Sequence, residues 1–440
     1  MTCLSVISTS SELGTLGSSP VLTSPPVCSN KSKYDEEMPR DLSQGSIVQR
    51  LTLNLLNTYK EINRKYYEEK RRSTRKVFFQ NYKRIFSKYK ILSKLGEGAT
   101  GVVFKAINIF TQESVAIKVN KEVADKDVNN RLREVIETEG CYLKNFLFDV
   151  PHAVKLLDKG EIDDQYYALV FEHLGEHNLF EKYLKVPRPF IMSFTMSLEK
   201  INIVAKQILE FLSVLKKKEL IYGDLKPENM FFDSKEVTVI DFGLVLSEKQ
   251  PDKPLLYQSL WYRAPEVIIG SDYDCAVDMW SLGTTLYEMY MGVSCFYVGK
   301  DTKESQNELL CQMAYRIGVF SKDFLAKGKN TTAFFNYENS AYSFKKWADD
   351  DELLQRLQSV EENNFLENTL LTVAKYKQDD FPKIKKLANL IKRMLVYENR
   401  ITPEEALNHP FFKEESEMSH VISKRKINKK RRFGFRVQRC

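Results

Sequence analysis

Three glycines between two strand-like runs constrain the fold more than any other feature of this sequence. Gly96, Gly98 and Gly101 have G-x-G-x-x-G spacing in the run LGEGATGVV. Glycines let backbone N–H groups approach a phosphate closely, but a dinucleotide-binding fold needs a helix directly after them. Here the alternating run GVVFKAINI follows, and the Gly-Lys-Ser/Thr ending of a Walker loop is missing. The spacing therefore predicts a glycine-rich hairpin between two strands.

The order of the predicted elements places this hairpin in a small β-rich unit. A helix is predicted at 127–147, and strand-like runs occur at 89–98, 100–109, 113–120, 153–160 and 166–174. After residue 175 the chain is predicted to be mostly helical, with short strands near 230 and 239. A β-rich part followed by a larger helical part predicts an α+β fold of two lobes with a cleft between them.

The two ends of the chain differ from this body in composition. Residues 1–45 are rich in Ser, Thr and Pro and are predicted to be disordered. Residues 46–88 are predicted to form a basic helical extension, because apolar side chains recur there at four-residue steps and indicate a helix to about residue 85. Residues 413–440 form a basic tail, which leaves 89–412 as the folded domain.

The charge of the chain is distributed unevenly. The net charge is +7, but residues 421–440 hold nine Lys or Arg and no acid, whereas residues 91–420 carry a net charge of about −10. An acidic body favours basic peptides as partners, and basic arms favour anionic ones.

Several classes of protein do not fit the composition. No apolar run reaches the roughly 18 residues of a membrane span, and the N-terminus lacks the features of a secretory signal. The seven cysteines include no CxxC pair, so neither a zinc framework nor a secreted disulfide pattern is indicated. We expect a soluble, intracellular monomer with reduced thiols.

Lys118 ends the strand-like run VAIK and is the first candidate for phosphate chemistry. A lysine on the strand after a glycine hairpin can place its ammonium group against the α- and β-phosphates of a nucleotide. A carboxylate on the following helix should hold it. Glu139 is chosen because Leu143 lies one turn further on the same face, and Glu134 is the alternative.

The run IYGDLKPEN supplies a second group of candidates. Asp224 and Asn229 have D-x-x-x-x-N spacing, and Asp241 follows in VIDFG. Asp224 can accept the proton of an attacking hydroxyl, and Asn229 and Asp241 can hold Mg²⁺ on the phosphates, because Mg²⁺ prefers oxygen ligands. Lys226 can neutralise charge on the transferred group.

Taken together, these motifs resemble a eukaryotic-type protein kinase over residues 89–412. YRAPE, DMWSLG and the pairing expected between Arg400 and Glu266 extend the resemblance along the chain, and Lys226 matches kinases of the serine/threonine type. The resemblance implies transfer of the γ-phosphoryl group of Mg·ATP to protein Ser or Thr, with Asp224, Lys226, Lys118 and Glu139 as catalytic residues. It implies that the nucleotide contacts Leu95, Gly96, Glu97, Gly98, Ala99, Thr100, Gly101, Val102, Val103, Ala116, Lys118, Glu172 and Leu174.

The subgroup is indicated by QSLWYRAPEVIIG, by VDMWSLG and by the long insert after residue 295. These are similar to the kinases that include the cyclin-dependent, MAP and dual-specificity tyrosine-regulated families, and other runs look closest to homeodomain-interacting protein kinases. Arg263 matches an arginine linked there to a preference for Ser/Thr-Pro sites. Those families autophosphorylate a tyrosine that aligns with Leu256; Tyr257 is one place later, so its phosphorylation is a hypothesis, and whether Ser259 is phosphorylated stays open.

One departure from the family concerns regulation. The residues before Asp224 are Tyr222 and Gly223, where most kinases have His and Arg. Tyr222 can still pack beneath Phe242, but Gly223 cannot bind a phosphate of the activation segment as an arginine does. The sequence therefore predicts a kinase that works without that phosphate.

Three functions remain to be separated. An active kinase is favoured over a pseudokinase or scaffold, because all the phosphate-handling residues are present. The basic run at 424–436 predicts an import signal bound by an import receptor and hence a nuclear location, shared with the cytoplasm. Direct nucleic-acid binding is disfavoured, since two phenylalanines in that run are too few for a stacking platform.

Overall fold

A computed structural model describes residues 84–98, 100–121, 126–162, 166–184, 196–250, 253–254, 257–345 and 364–413 of the chain. The predicted disordered segment 1–45, the helical extension up to residue 83, Ala99, Leu256 and the basic tail from residue 414 lie outside these residues.

An antiparallel sheet of six strands forms the first lobe. Its strands are β1 (Arg84–Ile85), β2 (Tyr89–Glu97), β3 (Gly101–Asn108), β4 (Ser114–Asn120), β5 (Leu156–Glu161) and β6 (Tyr167–Glu172). They lie side by side in the order β1-β2-β3-β4-β6-β5. The five strands predicted from the sequence are confirmed, and β1 is additional.

Strand β1 corrects the prediction of a helix to about residue 85. Arg84 pairs with Lys90 in an antiparallel ladder, and the turn that follows has a left-handed backbone at Phe86, with φ of 51°. Ile85 is fully buried in the core of the sheet. Packing of this side chain against the sheet outweighs the helical spacing of the apolar residues before it. The helix prediction is therefore wrong at its C-terminal end.

The helix of the first lobe, α1, covers Lys126–Asn145, close to the predicted 127–147. Ile136, Glu139 and Leu143 recur at helical spacing and are all buried, so they lie on the face that packs inward. Ile136 and Leu143 belong to the larger of two hydrophobic cores. The same face that anchors the helix thus carries the buried carboxylate of Glu139.

Strand β6 contributes to both cores. Ala168 and Val170 lie in the sheet's own core, whereas Tyr167, Leu169 and Phe171 join the larger core that continues into the second lobe. The alternation follows from the two-residue period of a strand. Consecutive apolar residues in YALVF are therefore all needed.

The second lobe is mostly helical, as predicted. Its helices are α2 (Leu179–Tyr183), α3 (Leu198–Lys217), α4 (Pro265–Ile268), α5 (Ala276–Met291), α6 (Lys303–Ile317), α7 (Lys322–Ala326), α8 (Thr331–Phe334), α9 (Phe365–Lys377), α10 (Phe381–Met394) and α11 (Pro403–Leu407). Its short strands are β7 (Leu220–Ile221), β8 (Met230–Phe232), β9 (Val237–Val239), β10 (Leu246–Ser247), β11 (Phe335–Glu338) and β12 (Ala341–Phe344).

Backbone hydrogen bonds tie the two lobes together beside the cleft. The Val154 N–H donates to the Val239 carbonyl at 2.9 Å, and the Val239 N–H donates to the His152 carbonyl at 2.7 Å. Strand β9 is thus fixed to the segment that enters β5, just before Asp241. Within the described part of the chain, no helix is both long and apolar enough to cross a membrane.

Candidate active site

Lys118 lies on β4 between two carboxylates. Its Nζ is 2.7 Å from Glu139 Oε2 on α1 and 2.7 Å from Asp241 Oδ1. Burial lowers the pKa of Lys118, but the charges of Glu139 and Asp241 outweigh burial and raise that pKa, so the ammonium group stays charged. Glu139 is buried with Lys118, whereas the alternative partner Glu134 is exposed.

The glycine hairpin between β2 and β3 leaves room for a ligand. The Gly98 N–H donates to the Gly101 carbonyl at 2.9 Å. A Cβ added at Gly101 would lie 2.7 Å from the Val119 carbonyl oxygen, so glycine is required there by the fold. A Cβ added at Gly96 would have no heavy atom within 4 Å. Packing within the chain therefore does not explain that glycine, whereas close approach of a phosphate to its backbone does.

The carboxylate of Asp224 is the centre of a hydrogen-bonded group. Lys226 Nζ donates to its Oδ2 at 2.8 Å, and Asn229 Nδ2 donates to the same oxygen at 2.8 Å. Ser259 Oγ donates to its Oδ1 at 2.6 Å, and Lys226 Nζ also donates to Ser259 Oγ at 2.8 Å. The structure therefore brings the three predicted residues together and adds Ser259.

Asp241 lies next to this group and fits a divalent cation. The Ile240 N–H donates to the Asn229 carbonyl at 2.9 Å, which holds Asp241 against the loop that carries Asp224. Burial raises the pKa of Asp241, but Lys118 outweighs burial and keeps the pKa below its ordinary value. One carboxylate and one amide oxygen suit Mg²⁺, which takes its other ligands from phosphates and water.

The comparison with known families follows this geometry. A family model described as protein kinase domain matches residues 89–412, about three quarters of the chain. The chain belongs to the protein kinase family. Its two-lobed α+β fold is the one that this family implies.

Curated relatives of the kinase are serine/threonine or dual-specificity kinases by name. The chain is 31% identical to serine/threonine-protein kinase ppk15 of Schizosaccharomyces pombe over 369 residues, which are 77% of this chain and 64% of that protein. It is 31% identical to dual specificity protein kinase YAK1 of Saccharomyces cerevisiae over 62% of this chain and 32% of that protein. It is 31% identical to homeodomain-interacting protein kinase 2 of Mesocricetus auratus over 76% of this chain and 29% of that protein.

These relatives place the kinase in the predicted group, which also contains dual-specificity tyrosine-phosphorylation-regulated kinases. The chain spans less than two thirds of the length of the relatives named here.

The predicted adenine-binding residues lie at the edge of the kinase cleft. Ala116 on β4 is paired with Phe171 on β6, and Val103 on β3 is paired with Lys118. Ala116 and Val103 are both half-buried, as are Glu172 and Leu174 at the end of β6. Of the other predicted nucleotide contacts, Leu95, Gly96, Glu97, Gly98, Thr100, Gly101 and Val102 lie in or beside the glycine hairpin.

Asp278 on α5 is a residue whose role the sequence analysis missed. Its Oδ2 accepts from the Tyr222 N–H at 2.8 Å and its Oδ1 from the Gly223 N–H at 2.9 Å. Burial raises the pKa of Asp278 to about 7, although both backbone donors favour the carboxylate. An acidic residue inside the apolar run of α5 was the available signal, since such a group needs buried partners.

Tyr222 packs as predicted. Its ring lies 5.4 Å from that of Phe242 in an edge-to-face arrangement and 5.6 Å from that of Phe211. Its hydroxyl donates to the Ile240 carbonyl. Tyr222 therefore supports the residue before Asp241 from below.

Two arginines hold the end of the activation segment. Arg400 binds Glu266 through two contacts of 2.7 and 3.2 Å, the pairing expected from the sequence. Arg263 donates to the carbonyls of Tyr257 and Gln258 at 2.8 and 3.0 Å, and also binds Asp301 at 2.7 Å.

Proposed function

We propose that the protein is a serine/threonine protein kinase that transfers the γ-phosphoryl group of Mg·ATP to protein hydroxyls. The observation that carries this proposal is the convergence of Lys226, Asn229 and Ser259 on the Asp224 carboxylate. A pseudokinase would not need a carboxylate held in that way beside Lys118 and Asp241.

In the proposed mechanism, Asp224 orients the hydroxyl of the substrate and accepts its proton as the new O–P bond forms. The bond from the γ-phosphorus to the bridging oxygen breaks, and ADP is the leaving group. Lys226 stabilises charge on the transferred group, and Lys118, held by Glu139, would bind the α- and β-phosphates. Asn229 and Asp241 would hold Mg²⁺, which neutralises phosphate charge when bound.

The proposed substrate preference is for proline after the phosphoacceptor. Gln258 has a left-handed backbone with φ of 66°, and its carbonyl accepts from Arg263 Nη2 at 3.0 Å. That carbonyl is thus already paired, and a substrate amide beside it would have no acceptor. Proline has no N–H to leave unpaired. The acidic body of residues 91–420 further favours basic substrates.

The test compares the wild type with Asp224→Asn on a basic Ser-Pro protein, using ATP and Mg²⁺. Loss of a general base should lower kcat by about 10²- to 10⁴-fold. Asp233→Asn is a matched control, because Asp233 is an exposed acid of the same lobe that caps the turn at Lys235. Equal activity of wild type and Asp224→Asn would overturn the mechanism and leave a binding module.

The proposed location is the nucleus, shared with the cytoplasm. The basic run at 424–436 supports it, since clustered Lys and Arg suit an import receptor. The protein would act there as a monomer on protein substrates, without direct nucleic-acid binding.

A further inference from the structure

Gly223 is required by its backbone and by its neighbour. Its φ is 81°, in the left-handed region that favours glycine. A Cβ at this position would lie 2.0 Å from the hydroxyl oxygen of Tyr257 and 2.2 Å from its Cζ. The space beside Gly223 is therefore filled by a side chain of the activation segment.

Tyr257 is held in that space by contacts on its ring and its hydroxyl. Its hydroxyl donates to the Leu244 carbonyl at 2.8 Å. Its ring stacks on Tyr273, with centroids 5.4 Å apart and planes 16° apart. Only 3% of Tyr257 is exposed, so neither end of the side chain is free in solvent.

These contacts join three segments of the candidate active site. Gly223 precedes Asp224, and Leu244 follows three residues after Asp241. Ser259, which bonds to Asp224, comes two residues after Tyr257 itself. The short β7–β10 pairing, with Leu246 opposite Ile221, lies next to both contact points. A shift of Tyr257 would thus reach the proposed base and the proposed metal ligand together.

The surroundings suit an unmodified hydroxyl. The charged groups that act most strongly on the Tyr257 hydroxyl are Asp278 and Asp224, both acidic, and with burial they raise its pKa well above the ordinary value. A phosphate in this place would be repelled by those carboxylates and would lose the hydrogen bond to Leu244. Gly223 offers no side chain that could bind it.

We propose that unphosphorylated Tyr257 is a positioning residue that braces the active site, in the space that Gly223 leaves open. It holds the loop of Asp224 and the segment after Asp241 in register with Ser259. This proposal rests on the proposed kinase function. It assigns to a buried tyrosine the task for which other kinases use a phosphate and an arginine.

The first test compares Tyr257→Phe with Tyr273→Phe. Tyr273→Phe is the matched control, because its hydroxyl donates to the Pro254 carbonyl at 2.9 Å and it belongs to the same stack without touching Gly223 or Leu244. Both variants lose one hydrogen bond and should lose similar thermal stability. Tyr257→Phe should lower kcat by about fivefold with KM for ATP unchanged, and Tyr273→Phe should leave kcat unchanged. The same kcat in the two variants would overturn the proposal.

The second test is a double-mutant cycle between Gly223→Ala and Tyr257→Leu. Gly223→Ala should lower kcat at least about 100-fold, because its methyl group displaces Tyr257 and its backbone is strained. In the Tyr257→Leu background the same change should cost about tenfold or less, since only the backbone strain remains. Additive effects would show that Gly223 and Tyr257 act separately.

Two further measurements separate this proposal from phosphorylation and from the kinase assignment. Mass spectrometry of the active wild type should find no phosphate on Tyr257; an activity that follows phosphate on Tyr257 would refute the brace. If the wild type shows no Asp224-dependent transfer, the proposed function fails, and hydrogen exchange still tests the brace. Exchange in residues 241–250 should rise in Tyr257→Phe but not in Tyr273→Phe, and equal exchange would contradict it.

Discussion

At the scale of single residues, the charge on Lys118 depends on its two carboxylate partners. Replacing it by methionine leaves Glu139 buried without a cation. We expect Lys118→Met to lower phosphotransfer at least about 100-fold, because the proposed phosphate contact is lost. We also expect it to lower the free energy of unfolding by about 3 kcal/mol, because the remaining buried charge is uncompensated.

Steady-state kinetics and urea unfolding measure the two effects of Lys118→Met. Lys90→Met is the control, since Lys90 is an exposed lysine on the same sheet and should change neither quantity appreciably. A folded Lys118→Met variant with wild-type kinetics would exclude Lys118 from the nucleotide site.

Glu288 on α5 predicts a pH dependence of stability. It is 2% exposed and accepts hydrogen bonds from the hydroxyls of Tyr262 and Ser294. Burial, together with the charge of Glu228, raises the pKa of Glu288 from 4.5 to about 8. Because the folded state binds this proton more tightly than the unfolded chain, the stabilisation is complete below pH 4.5 and is lost as the pH rises through about 8.

Glu288→Gln should remove this dependence, because glutamine keeps one acceptor and does not titrate. Between about pH 5 and pH 9, the free energy of unfolding of the wild type should fall by up to about 5 kcal/mol more than that of the variant. Urea unfolding at the two pH values measures the difference. Asp278 titrates in the same direction in both proteins, so parallel pH curves would show that Glu288 is ionised throughout.

At the scale of elements, the glycine hairpin separates a structural glycine from a binding one. Gly101→Ala places a methyl group 2.7 Å from the Val119 carbonyl oxygen, so β3 and β4 must move apart. A methyl group at Gly96 meets no atom of the chain within 4 Å. Gly101→Ala should therefore lower the unfolding temperature, whereas Gly96→Ala should leave it unchanged and raise KM for ATP about tenfold.

Calorimetry and ATP titrations of the two variants provide the measurement, and each variant is the control for the other. If Gly96→Ala destabilises the fold and leaves KM unchanged, the hairpin does not bind phosphate as proposed.

At the scale of the whole molecule, the contrast between the acidic body and the basic tail separates catalysis from location. Deletion of residues 421–440 removes nine positive charges but none of the proposed site residues. We expect a fluorescent fusion to lose nuclear accumulation while kcat on a peptide stays within about twofold, because the site lies outside the tail. Replacing the same lysines and arginines by glutamine is the matched control for length.

DNA binding of the same pair of proteins tests the alternative role of the tail. Strongly salt-dependent binding that disappears on deletion would favour a nucleic-acid contact over an import signal. Nuclear accumulation that survives the deletion would contradict the import proposal.

The sequence by itself determined the class of fold and most of the candidate site. Alternating apolar runs predicted five strands, and the motifs around Lys118, Asp224 and Asp241 selected the residues that lie together, because local patterns report secondary structure and spacing. Packing decided that Glu139 rather than Glu134 faces Lys118, because burial on one side of α1 depends on what the helix meets.

Only the tertiary structure decided the contacts that depend on distant segments. Ile85 pairs as a strand because the sheet offers it an edge and a core. Asp278 binds the backbone of Tyr222 and Gly223 across 56 and 55 residues of sequence. Gly223 looked like the loss of a phosphate-binding arginine, but the space that it leaves holds Tyr257. A sequence shows which side chain is missing at a position, whereas only folding shows which other side chain occupies the space.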